Sequence, residues 1–224
     1  MREVYKTVYR LKSEGYMHAL RNGLLLIGRA PDKKTEIELI EEYYWAIVRA
    51  YIAREVRSEY FIGGTKALEL HIADLSTPGT LIIYTKAISK QVLLSPNHKL
   101  VFKKRETGKK AVGTLFSKLL PFVVKKSVGG VDFKVLSHEA ALLDMLLLQN
   151  NGGVLDNYLV VKFLKKYQSV LQRSILGKLV ELRYISSINR LREIAKAQGY
   201  EALYQDCVSI IRDEGAGCFL TSKK

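Results

Sequence analysis

Hydrophobic and polar positions alternate in three different ways along this chain. At the front, Val4, Val8 and Leu11 recur at helical spacing, with Arg2 and Lys6 on the opposite side and Arg10 flanking them. Gly15 ends that predicted helix. Residues 16–20 and 24–28 then read as two short strands around Arg21-Asn22-Gly23, whose Asn-Gly pair supplies the positive φ angles of a tight hairpin. Ala30-Pro31-Asp32 interrupts the chain. A long helix is predicted next, capped by Asp32 or Thr35, with Ile37, Ile40, Tyr44, Ile47, Val48 and Tyr51 along its apolar side.

The middle is different. Tyr60-Phe61-Ile62 is an apolar strand end, Gly63-Gly64 a turn, and the residues up to His71 an apolar stripe at helical spacing. Residues 80–85 form a run of branched side chains, as in a buried strand, and several short lysine-rich strands follow. The run 131–137 leads into an apolar helix over 139–149, which Ser137 caps and whose first turn holds Glu139. Beyond the loop 149–153, helices are predicted over about 157–166, 169–181, 187–198 and 201–212, with Leu159, Phe163, Leu176, Leu179, Ile188 and Leu191 facing inward. The predicted fold class is therefore α/β (α+β): a shortened winged-helix-like N-terminal element, a mixed β-sheet flanked by helices, and a helical C-terminal part. The domains are expected at 1–30 (last helix and wing of a winged helix-turn-helix), 31–59 (a connecting helix) and 60–224 (the main body).

Charge changes this picture more than composition does. With 48% hydrophobic and 26% charged residues the chain has an ordinary globular balance, but its net charge is +14. Between Phe61 and Leu136 there are thirteen Lys/Arg against four Asp/Glu, nine of those fourteen charges, whereas residues 31–60 net −2. An anionic partner is expected for the middle unit, nucleic acid before an acidic protein or a membrane surface. Lys99, Lys103, Lys104, Arg105, Lys109 and Lys110 frame a hairpin as a candidate phosphate strip, which Lys118, Lys125, Lys126 and Lys134 would extend. Blunting of an exposed strand edge is the competing explanation, although one or two lysines suffice for that. Lys162, Lys165, Lys166 and Arg173 make a second basic face. Lysine outnumbers arginine here, which favours attraction to the phosphate backbone over bidentate reading of bases.

Other chemistry is thin. Cys207 and Cys218 have no metal-ligand spacing, no apolar run approaches the roughly 18 residues of a spanning helix, and no export signal is visible, so a reducing cytoplasm is expected. Gly63-Gly64 lacks the pattern of a phosphate-binding loop and is expected to be a structural turn. His71 is expected in the interior, and His138 and Asp144 at the surface and as a cap. Asp132-Phe133-Lys134, with Glu69 or Asp74 as an earlier acid, has the shape of a restriction-type nuclease site but arises easily by chance in a lysine-rich chain. No catalytic residue, metal or cofactor is assigned.

Two stretches carry a resemblance. Tyr60-Phe61-Ile62-Gly63-Gly64, Ala67-Leu68-Glu69-Leu70-His71 and the strand at 80–85, with Phe133-Lys134-Val135-Leu136-Ser137-His138-Glu139 and Leu142-Leu143-Asp144 later, resemble the C-terminal domain of the AbiEi family. Its members are antitoxins and transcriptional regulators of type IV toxin-antitoxin (abortive infection) systems. Leu11-Lys12-Ser13-Glu14-Gly15-Tyr16 and Leu20-Arg21-Asn22-Gly23-Leu24 resemble the end of the family's winged helix. A complete winged module has two earlier helices, so a shortened one is expected here. The resemblance implies an antitoxin that represses the promoter of its own operon and counteracts a nucleotidyltransferase-like toxin without requiring a stable complex with it. The predicted DNA contacts are Arg2, Lys6, Arg10 and Lys12 on the helix, Arg21 and Asn22 on the wing, and the strip Lys99, Lys103, Lys104, Arg105, Lys109 and Lys110. The alternatives are a sequence-independent nucleic-acid-binding module and a metal-dependent nuclease.

Overall fold

The computed structural model describes residues 2–20, 24–27, 35–56, 59–86, 88–104, 115–150 and 157–215. Helix α1 (Arg2–Ser13) leads into an antiparallel hairpin of β1 (Met17–Leu20) and β2 (Leu24–Ile27), with Met17 opposite Ile27. The predicted long helix is two: α2 (Glu36–Glu42) and α3 (Tyr44–Glu55), broken at Tyr43. Thr35 opens α2 with a full capping box. Its hydroxyl accepts the Glu38 N–H, and the Glu38 carboxylate accepts the Thr35 N–H at 2.7 Å. Helix α3 buries Tyr44, Trp45, Ile47, Val48, Tyr51 and Ile52, so it belongs to the core of the main body.

The main body is a six-stranded mixed sheet. In chain order come β3 (Tyr60–Ile62), α4 (Gly64–His71), β4 (Thr80–Thr85), β5 (Lys90–Leu93), β6 (Lys99–Lys104), α5 (Leu115–Leu119), β7 (Val123–Val128) and β8 (Val131–Leu136). In space the strands run β5-β6-β4-β3-β8-β7. The pairs β3/β8 and β4/β6 are parallel, and the other neighbours are antiparallel. Strands β3 and β4 lie in the middle of the sheet, and this is why residues 60–62 and 81–85 read as apolar runs. Trp45 of α3 meets Phe133 of β8 edge-on at 5.4 Å and covers one face. Phe61, in register with Tyr84, points the other way and stacks on Phe116 of α5 at 5.0 Å.

Helices α6 (His138–Asn150), α7 (Asn157–Tyr167), α8 (Arg173–Leu179), α9 (Ile185–Ala197) and α10 (Glu201–Asp213) complete the fold. Every residue from Ala140 to Met145, and Leu146 after them, is buried, so α6 is a central helix with no polar side over this stretch. Between α8 and α9 the chain kinks, with Arg183 in the left-handed region at φ 74°. Cys207 is a small core residue whose thiol burial pushes up to about 12.

Candidate nucleic-acid interface

The N-terminal unit presents its cations and leaves most of its apolar groups half-buried or exposed. Lys6, Arg10 and Lys12 on α1 are exposed, and among the described residues Arg10 pairs with the solvated Glu14, 3.9 Å away, a pairing worth little. The Tyr16 N–H donates to the Leu11 carbonyl at 2.8 Å, so the helix turns straight into β1. The expected inward side of α1 is not sealed: Val4 is 65% exposed, and Val8 and Leu11 are half-buried. Tyr5, Tyr9 and Ile27 are exposed as well, and Met17 is the buried hydrophobic residue of this unit among those described. Arg2 opens α1. Arg21, Asn22, Arg105, Lys109 and Lys110 fall outside the described residues.

The central lysines divide into groups instead of forming one strip. On β6, Lys99 is in register with Thr80, Lys103 with Tyr84 and Lys104 with Thr85, so Lys99 and Lys103 share one face and Lys104 takes the other. Lys103 and Lys104 are exposed and Lys99 is half-buried. Lys125 and Lys134 lie at the other edge, directly opposite one another across β7 and β8, with Lys134 3.9 Å from Glu59. Three strands separate β6 from β7, roughly 19 Å at the usual strand spacing. The predicted extension through Lys125, Lys126 and Lys134 is therefore separate from the β6 strip, and Lys126, opposite Phe133, takes the other face from Lys125 and Lys134.

Lys126 of β7 and Lys166 of α7 act on the same ring, that of His138. Lys162, Lys165 and Lys166 are exposed on α7, and the ammonium of Lys166 lies 5.1 Å from the Tyr167 ring centre. Tyr167 packs on His138 at 4.5 Å, and His138 on His71 at 4.1 Å. Burial holds the half-buried His138 below the ordinary imidazole range, against an upward pull from Glu139 that exceeds the downward push of Lys126 or of Lys166. This grouping has no sequence periodicity to reveal it, because its members come from β7, α6 and α7.

The glycine turn is occupied by the protein itself. Asp144, expected at the surface, is fully buried. Its carboxylate accepts the Gly64 N–H at 2.8 Å, the Tyr84 hydroxyl at 3.0 Å and the Tyr184 hydroxyl at 3.1 Å. A single carboxylate thereby joins α4, β4, α6 and the α8–α9 kink. Gly64 sits at φ +65°, and a β-carbon on Gly63 would meet the Tyr84 ring at 2.2 Å, so both glycines are required sterically. With the Gly64 N–H already taken, the turn is structural. His71 is interior as expected: its Nε2 donates to the Leu136 carbonyl at 2.7 Å, and its buried Nδ1 has no partner. Burial lowers it to about 4.

The nuclease pattern does not assemble. Glu69 receives the buried Lys66 ammonium at 2.8 Å, Asp74 accepts the Ser76 hydroxyl at 2.6 Å, and Asp132 is exposed opposite Ser127. Among the described residues no three His, Cys, Asp or Glu side chains are grouped to hold a metal ion. No described helix is long and apolar enough to cross a membrane.

No family model matches the chain, and no curated protein is significantly similar to it. Among solved structures the fold is similar to that of the Rv2827c protein from Mycobacterium tuberculosis, with a TM-score of 0.57 and 14% identity over 92% of this chain and 69% of that one. At that identity the likeness concerns the fold alone. The α/β architecture, with a mixed sheet, flanking helices and a helical C-terminal part, is shared with it.

Proposed function

We propose that this chain is a DNA-binding transcriptional regulator with an antitoxin role of the AbiEi type, working through basic surfaces and without catalysis of its own. In this reading it acts in the cytoplasm on the promoter of its own operon, and its functional counterpart is a nucleotidyltransferase-like toxin. The observation that carries it is the basic helix α1 running directly into a hairpin, with Lys6, Arg10 and Lys12 turned to solvent. A helix and wing of this kind place the helix in the major groove and the hairpin along the backbone. The surplus of the middle unit supplies the long-range attraction that any such protein needs.

The test is binding of the operon's promoter fragment against a scrambled duplex of equal length. Replacing Lys6, Arg10 and Lys12 together by Gln should reduce affinity at least tenfold and lower the salt slope by about one for each phosphate contact removed. Antitoxin action is read separately, as restored growth when this chain is co-expressed with the adjacent toxin.

One observation favours a second reading. The described cations of the sheet are mostly lysines, on β6 next to one edge and on β7 and β8 at the other, an arrangement suited to holding phosphates without reading sequence. A sequence-independent nucleic-acid-binding module would bind both duplexes equally with a steep salt slope.

A further inference from the structure

His138 opens α6 in surroundings that interior packing alone does not require. Its ring is sandwiched, 4.1 Å from His71 and 4.5 Å from Tyr167 between ring centres, with Phe163 at 6.1 Å. It is half-buried, and its ring nitrogens make no hydrogen bond to any described residue. The charged and titratable groups facing it are Lys126 from β7, Lys166 and Tyr167 from α7, His71 from α4 and Glu139 from its own helix. The carboxylate among them, Glu139, is buried and accepts the Gln172 N–H at 3.2 Å and the Ser137 hydroxyl at 3.3 Å, and its charge still raises His138 more than either lysine lowers it. Neither lysine has an ion pair among the described residues, and Lys162, one turn before Lys166, continues the same side of α7. The positive end of the thirteen-residue α6 lies at the same point.

We propose that Lys126, Lys166 and His138 form a phosphate-binding site, with a phosphate group held between the two ammonium groups and the imidazole. The source favoured by the function proposed above, on which that part rests, is the nucleic-acid backbone. The ring contacts with His71 and Tyr167 hold the imidazole in place, so little rotamer freedom is lost on binding. The site is also linked to protons. In the free protein burial, and to a lesser degree the two lysines, disfavour the imidazolium against the pull of Glu139; a bound phosphate, carrying one to two negative charges, favours it. The imidazole therefore titrates higher in the complex than in the free protein. Binding takes up a proton, is strongest below the free midpoint, and weakens as pH rises through the midpoint of the complex.

The experiment follows the His138 ring resonances by NMR across pH 5 to 8, for the protein alone, with inorganic phosphate, and with a duplex of scrambled sequence. The expected result is a midpoint raised by about one unit with the duplex, which corresponds to binding up to about tenfold tighter at the acid end. Replacing both Lys126 and Lys166 by Gln should then lower the duplex salt slope by about two. A midpoint raised by inorganic phosphate but not by the duplex keeps the site and assigns it to a small phosphate-bearing ligand. If neither moves the midpoint, the proposal is overturned. If the duplex binds with an unmoved His138 and an unchanged slope in the double variant, the site is wrong while DNA binding stands. The wild-type titration needs no variant, so misfolding of a substituted chain cannot mask the result.

Discussion

Acidification should destabilise this protein well before its carboxylates protonate, and His71 sets the size of the effect. Its Nε2–H is committed to the Leu136 carbonyl and its Nδ1 has no partner, so protonation would add a buried N–H with no acceptor. The folded-state midpoint is about 4 against an ordinary 6.5. For a depressed histidine the unfolded chain takes up the proton first. Stability is thus fully present above about pH 7 and falls as the pH drops toward the folded midpoint. With those two midpoints the loss is about 2 kcal/mol between pH 7.5 and 5, and about 3 kcal/mol by pH 4. The carboxylates whose midpoints are lowered, Glu41 by hydrogen bonds from His98 and Thr77, Glu55 by Lys90 and Asp74 by Ser76, start from 4.5, 4.5 and 3.8, so their losses fall mainly below pH 5 and add to that of His71 by pH 4. His138 contributes with the same sign. Urea denaturation at pH 7.5, 6.5, 5.5 and 5.0 measures the slope, and His71→Gln, though less stable overall, should lose most of it. An equal slope in the variant would refute the argument, because the proton would then be entering elsewhere.

Three further outcomes follow from the packing. Asp144→Ala should cost about 3–5 kcal/mol by stranding the Gly64 N–H and two tyrosine hydroxyls, whereas Asp144→Asn, which keeps an acceptor, should cost about 1–2 kcal/mol; chemical denaturation compares the two, and equal costs would contradict the network. Gly63→Ala should destabilise by about 1–3 kcal/mol, since its β-carbon would overlap the Tyr84 ring, and the melting temperature reads it. Lys125→Glu should stabilise by about 0.2–1 kcal/mol by relieving the like charge opposite Lys134, yet weaken binding to duplex DNA. A gain in both would argue that this edge has no part in binding.

The strands and helices were legible where periodicity is strong and local. Residues 60–71 and 80–85 form the strand, turn, helix and strand their pattern predicts, and α9 and α10 lie within a residue or two of expectation. The break between the helices predicted at 169–181 and 187–198 is present, though α8 starts only at Arg173; the left-handed conformation of Arg183 within it was not legible, because nothing at that position favours it. The Asp144 network was missed although a trace was present, since one carboxylate inside Leu142-Leu143-Asp144-Met145-Leu146 can be buried only if donors converge on it. The charge surplus was visible in the sequence but its layout was not. Strand order put three strands between β6 and β7, and a crossover of that kind leaves no mark in local composition. The same reason hid the grouping of Lys126, His138 and Lys166.

The central claim is that the exposed cations serve DNA, with specificity coming from the N-terminal helix and hairpin. It is tested most directly by titrating the full chain with its own promoter fragment and with a scrambled duplex at a series of salt concentrations. The account predicts that both bind with similar salt slopes and that the promoter is favoured by a factor of at least about a thousand at physiological salt. Equal affinity for the two duplexes, or no binding to either, would contradict it.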